Sequence, residues 1–118
     1  MNDSIEALRS EAIAFRDARD WAQFHRAKDL ALGLGIEAGE LQELFLWKTD
    51  AEIDAALSTP KFRERVSEEL ADVMLFALYL SHRTGIELAA AVRDKLGKNG
   101  VKYPVDRARG TARKYDEL

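Results

Sequence analysis

GIEAGELQE (35–43) lies within a run where Leu30, Leu34, Leu41 and Leu44 recur at three- and four-residue steps, the spacing of one face of an α-helix. On that face the place between Leu34 and Leu41 falls to Glu37. RVSEELADVMLF (65–76) has the same construction: Phe62, Val66, Val73, Phe76 and Leu80 form a stripe whose missing member is Glu69. Two helices thus each carry an acid where packing calls for a hydrophobe. Both acids are therefore expected to point toward the core of the fold.

The rest of the chain is read outward from these helices. Asp3 and Ser4 can cap a first helix carrying Ile5, Leu8, Ala12 and Phe15, which ends near RDARDW (16–21). The second helix is expected over about 28–47, followed by a short one capped by Thr49 or Asp50. Ser58, Thr59 and Pro60 separate that short helix from a long one over about 61–83, which Gly85 closes. IELAAAVRDKLGKNG (86–100) supplies another helix, ending around Asn99 and Gly100. No alternation of β type appears, so the expected fold is an all-α bundle of four to five helices. The domain is expected to span 1–104, and the polar stretch VDRARGTARKYDEL (105–118) reads as a mobile tail. Gly33, Gly35 and Gly39 weaken the second helix and imply either close packing against a neighbouring helix or room for a ligand.

The 118 residues suit one domain, and 47% apolar with 33% charged residues place the chain among water-soluble globular proteins. With no cysteine, thiolate-held zinc and iron–sulfur sites are excluded, and a reducing compartment, the cytoplasm, is expected. The longest apolar stretch, VMLFALYL (73–80), is too short to cross a bilayer. The first residues lack the apolar core of an export signal, and without one the final YDEL carries no address. A net charge of −3 argues against broad nucleic-acid or membrane-surface binding. A phosphate-bearing ligand would have to be gripped locally.

Glu40 and Asp72 each follow the embedded acid by three residues, so two E-x-x-[ED] pairs point inward from two helices. Burying these carboxylates requires protons or cations, and a hard divalent ion, Mg²⁺ or Mn²⁺, suits an all-oxygen set without imidazole. The Glu-x-x-His pairs of di-iron bundles are absent, because Ala22 and Tyr79 precede His25 and His82 by three residues. Salt bridges across the bundle, or solvent, are the other way to satisfy such acids. Glu43 and Glu68 are expected to face outward, with Glu43 able to reach the edge of the site. Lys95, Lys98, Asn99, Lys102 and Tyr103 gather at the end of the last helix, where cations suit either phosphate or the helix dipole. Trp21, Phe24, His25, Trp47 and Phe76 bracket the acidic helices and could either stack on a base or pack in the core.

RDWAQFH (19–25), IEAGELQELFLWKTD (36–50), SEELADVMLF (67–76) and KNGVKYP (98–104), in that order, resemble the MazG-like nucleoside triphosphate pyrophosphohydrolases, in particular their dCTP pyrophosphatase branch. The resemblance implies an oligomeric all-α fold and Mg²⁺-dependent cleavage of dCTP or a modified dCTP to the monophosphate and pyrophosphate. It implies Glu37, Glu40, Glu69 and Asp72 as metal ligands, with Glu37 and Glu40 catalytic. Lys95, Asn99, Lys102 and Tyr103 would bind phosphate, and Trp21, His25, Trp47 and Phe76 would frame the base. Ile36 stands where the broader family often has another acid, and Phe76 where relatives can carry Tyr, which leaves metal number and base preference open. Either Glu37 or a hydroxide on the metal would take the proton of the attacking water. A homo-oligomer is expected, a tetramer with sites shared between subunits, or a dimer. The competing expectations are the same chemistry on dUTP or dATP, and a non-catalytic acidic helical binding module.

Overall fold

The computed structural model describes residues 2–118. Among them the chain forms six α-helices and no strand: α1 (Ile5–Asp17), α2 (Ala27–Glu43), α3 (Asp50–Leu57), α4 (Pro60–Thr84), α5 (Leu88–Lys102) and α6 (Val105–Ala108). Two single-turn 3₁₀ helices lie at Ala22–Phe24 and Tyr115–Glu117. No described helix is long and apolar enough to cross a membrane.

Local chemistry places most of the boundaries. Ser4 Oγ accepts the Ala7 N–H at 3.1 Å and Thr49 Oγ1 accepts the Glu52 N–H at 3.2 Å, so each satisfies an orphan donor of a first turn. Pro60 opens α4, and Gly85, at φ 72°, ends it in the left-handed conformation that glycine adopts without a Cβ clash. α2 stops at Glu43, short of the expected end at Trp47. There the Leu44 and Phe45 N–H groups turn to the carbonyls of Leu41 and Gln42, at 3.2 and 3.0 Å, tightening the last turn. Lys48 Nζ then caps the Leu44 carbonyl at 2.9 Å.

The chain forms two compact units, one ending at Gly85 and the other spanning Ile86–Leu118. In the first, α4 is the central element, and α1, α2 and α3 all pack against it. Its buried apolar side chains are Ala12, Leu30, Leu44, Leu78 and Tyr79, with Ile13, Phe76 and Leu80 packed against Ala12, Leu30 and Tyr79. α2 approaches α4 closely at Gly33, where a Cβ would stand 2.8 Å from Phe76 Cδ1 and closer still to Cε1. A Cβ at Gly35 or Gly39 would meet nothing within 4 Å. Of the three glycines, Gly33 is the one that packing requires.

In the second unit, α5 runs two residues beyond the expected end, and the Tyr103 N–H continues its pattern to the Asn99 carbonyl at 2.8 Å. The segment read from its polarity as a mobile tail carries α6 and the second 3₁₀ helix. Tyr115 packs edge-on against Tyr103, with ring centroids 6.1 Å apart. α6 brings the number of α-helices among the described residues to six, above the four to five expected.

Candidate metal centre and active site

α2 and α4 place their embedded acids opposite each other. One carboxylate oxygen from each of Glu37, Glu40 and Glu69 lies within 4.8 Å of the other two. Glu37 and Glu69 are half-buried, and Glu40 stands at the exposed margin of the group. Asp72, half-buried one turn beyond Glu69, lies outside this trio but close enough for its charge to raise the proton affinity of both embedded acids. Glu37 is pushed from an ordinary 4.5 to about 7: burial contributes most, then a hydrogen bond with Glu40, then the charges of Glu40, Asp72 and Glu69. Glu69 is also raised, first by burial and then by Glu40 and Asp72, with a hydrogen bond to Glu37 working the other way.

Two atoms in the cluster test whether a cation fits. Glu37 Oε2 and Glu69 Oε2 are both buried and have no hydrogen-bond partner. A buried carboxylate oxygen with neither donor nor counter-charge is costly, and no lysine or arginine bridges to these acids among the described ion pairs. A hard cation would satisfy both oxygens at once and reverse the like-charge repulsion. The residues therefore fit a divalent ion, and the all-oxygen donor set suits Mg²⁺ or Mn²⁺.

The aromatic candidates divide. The His25 ring lies 4.5 Å from that of Tyr79, and Phe76 lies 6.4 Å from the same ring, so both converge on Tyr79. His25 Nδ1 is buried without a partner, and burial first, then the charge of Arg16, lowers the imidazole pKa, so the ring is neutral at pH 7. Trp21 packs instead on Phe15 at 6.0 Å, where Arg19 also lies over the Phe15 ring at 3.6 Å. Trp47 is 92% exposed and has φ 63°, a conformation strained for a bulky residue. Phe24, 63% exposed, packs into no core. Sequence reasoning missed Tyr79, whose ring partners come from an upstream 3₁₀ turn and from its own helix, and which read as one more member of an apolar run.

Lys95, Asn99, Lys102 and Tyr103 all lie in the second unit, on the later turns of α5 and at its C-cap. Lys95, Asn99 and Lys102 recur at helical spacing and share a face. Lys98 is paired with Asp94 at 3.0 Å, which commits its charge, whereas Lys102 Nζ lies 4.8 Å from the centre of the Tyr115 ring.

Comparison with known proteins points in one direction. The model of the MazG-like family matches residues 33–118, a span that includes the C-terminal segment. dCTP pyrophosphatase 1 of Rattus norvegicus is 42% identical over 115 residues, covering 98% of this chain and 68% of the relative. The protein of the same name from Homo sapiens is 41% identical over the same shares. A crystal structure of a pyrophosphatase from Archaeoglobus fulgidus superposes with a TM-score of 0.79 at 36% identity, covering 88% of this chain and 95% of that one.

Proposed function

This chain belongs to the MazG-like family, and from that premise we propose that it is a nucleoside triphosphate pyrophosphohydrolase acting on dCTP, yielding dCMP and pyrophosphate. The observation that carries the chemistry is the carboxylate trio of Glu37, Glu40 and Glu69, with two buried oxygens lacking any partner. Glu37, Glu40, Glu69 and Asp72 would hold Mg²⁺, for which Mn²⁺ could substitute. When bound, such an ion neutralises phosphate oxygens and stabilises departing pyrophosphate.

The remaining steps fall to side chains. Water attacks the α-phosphorus, a new P–O bond forms, and the bond from the α-phosphorus to the bridging oxygen breaks. Glu37 takes the proton of that water, because it is half-buried within the carboxylate group and keeps one oxygen without a hydrogen-bond partner that can accept it. Glu40, at the exposed margin of the same group, is the second catalytic acid and would share the ion with Glu37. Lys95, Asn99, Lys102 and Tyr103 hold the phosphate chain, with the lysines and the amide of Asn99 donating to its oxygens. Trp21, His25, Trp47 and Phe76 are assigned to the base.

A homo-oligomer, dimer or tetramer, is part of the same proposal. It is supported by an apolar groove of about 470 Å³ between α1 and α4, lined by Leu8, Phe15, Met74 and Leu75 among others. A monomer mass by sedimentation equilibrium at working concentration would refute it. The catalytic reading is tested by pyrophosphate release from canonical and base-modified nucleoside triphosphates, with Mg²⁺ and with chelator, the nucleotide product being resolved by chromatography. Metal-dependent dCMP formation is expected, and survival of every nucleotide would overturn it.

A further inference from the structure

The C-terminal segment turns back on the end of α5 through a series of specific local contacts. Pro104 starts α6, and Gly110, at φ 74°, reverses the chain in the left-handed region. The Thr111 N–H holds the Ala108 carbonyl at 3.2 Å, and Thr111 Oγ1 accepts the Arg113 N–H at 3.3 Å. The closing 3₁₀ turn, pinned by Glu117 N–H to the Lys114 carbonyl at 2.9 Å, then presents Tyr115. Its ring meets both Lys102, with Nζ 4.8 Å from the ring centre, and Tyr103, at 6.1 Å with planes 85° apart.

We propose that Tyr115 is a positioning residue for the phosphate-binding end of α5, its ring fixing the Lys102 ammonium and the Tyr103 phenol for a triphosphate. The inference rests on the assignment of Lys102 and Tyr103 to the phosphate chain. A lysine on the last turn of a helix is free to sweep through many rotamers, and immobilising it on binding costs entropy. An aromatic face attracts the ammonium and restricts it in advance. A carboxylate in the same place would hold the lysine too, but would compete with phosphate for its donors, as Asp94 does at Lys98. The ring leaves the charge intact and occupies one side of a group with three donors, so the others stay available to phosphate oxygens. The edge-on packing of Tyr103 against Tyr115 orients the neighbouring phenol by the same contact.

Steady-state hydrolysis of dCTP in Mg²⁺ by the full chain tests this with three variants: Tyr115→Ala, Tyr115→Phe and Lys102→Ala. Tyr115→Ala is expected to raise KM roughly three- to tenfold with kcat within about twofold, in keeping with the loss of one cation–aromatic and one aromatic pair. Product inhibition by pyrophosphate should weaken by the same factor, since pyrophosphate uses the phosphate end alone. Tyr115→Phe keeps the ring and should restore wild-type KM. At 47% exposure Tyr115 can be truncated without opening a core, so the melting temperature should hold. A raised KM in Lys102→Ala with an unchanged KM in Tyr115→Ala overturns the positioning role alone. An unchanged KM in Lys102→Ala overturns the phosphate assignment and this inference with it. Equal damage from Tyr115→Phe and Tyr115→Ala would assign the effect to the hydroxyl and refute the ring contact.

Discussion

Replacing Glu37 by Gln should make the metal-free protein more stable while abolishing its activity. Gln keeps the shape of the side chain and removes the charge. In the folded chain Glu37 binds its proton more tightly than in the unfolded one, about 7 against 4.5. The folded state therefore gains from protonation below about 4.5 and loses that stability as pH rises through about 7. The difference sets an upper bound of about 3.4 kcal/mol at 1.36 kcal/mol per tenfold change in proton affinity. Because Glu37 is only half-buried, solvent screening leaves roughly 1–2 kcal/mol at pH 8. For a chain of 118 residues, an unfolding entropy of about 2.1 cal/mol/K per residue turns this into roughly 4–8 °C of melting temperature.

The assay is thermal unfolding by circular dichroism, at pH 8 and pH 5, in chelator and in Mg²⁺. In chelator at pH 8, Glu37→Gln should melt higher than the wild type, and the gap should close toward pH 5, where the wild-type carboxyl carries its own proton. Mg²⁺ at a hundredfold excess over its Kd should stabilise the wild type by about 2.7 kcal/mol and the variant by much less. Hydrolysis of dCTP by the variant should be lost. If the variant melts lower than the wild type in chelator at pH 8, or if the gap is the same at pH 5, the cluster stores no electrostatic strain and the reasoning fails.

Two further outcomes follow from packing and exposure. Gly33→Ala should lose up to about 2 kcal/mol in a denaturant melt, because overpacking against Phe76 at about 1–3 kcal/mol outweighs the helix-propensity gain of about 1 kcal/mol. Gly35→Ala, which meets nothing within 4 Å, should instead gain up to about 1 kcal/mol, and equal stability of the two variants would remove the packing role of Gly33. Trp47→Ala should change stability by less than about 0.5 kcal/mol, since the side chain is 92% exposed, yet raise KM for nucleotide. An unchanged KM across substrates would take Trp47 out of the base site.

The helices were legible because their boundaries are written in local chemistry: Ser4, Thr49, Pro60 and Gly85 each act within one turn of where they stand. Glu37 and Glu69 were legible for a related reason, as polar interruptions of apolar stripes. The end of α2 was not, since Leu44, Phe45, Leu46 and Trp47 continue an apolar pattern through a backbone that has already tightened out of α-helix. The short elements of the C-terminal segment were invisible because they rest on one ring and one left-handed glycine in an otherwise polar stretch, too little for periodicity to register. Tyr79 was missed because its significance lies in tertiary contact with His25, which no spacing reports.

Gly33, which sequence could read as packing or as room for a ligand, links the packing to the chemistry. It lies one helical turn before Glu37 on α2, and Phe76 lies two turns after Glu69 on α4. Gly33 meets Phe76 while Glu37 and Glu40 meet Glu69, so advancing along α2 means retreating along α4, and the two helices run antiparallel. In that register each step of three or four residues up α2 is matched by one down α4. It carries the pair Gly33 and Phe76 to Glu37 opposite Asp72, then to Glu40 opposite Glu69. A side chain at position 33 would push the helices apart at the layer next to the acids and lengthen the distances from Glu69 to Glu37 and Glu40 across them. The missing Cβ is thus a condition of the metal site as well as of the core. The two requirements pull in opposite directions on stability: the close approach buries apolar surface around Phe76, and the same approach forces the carboxylates into mutual repulsion that a cation must relieve.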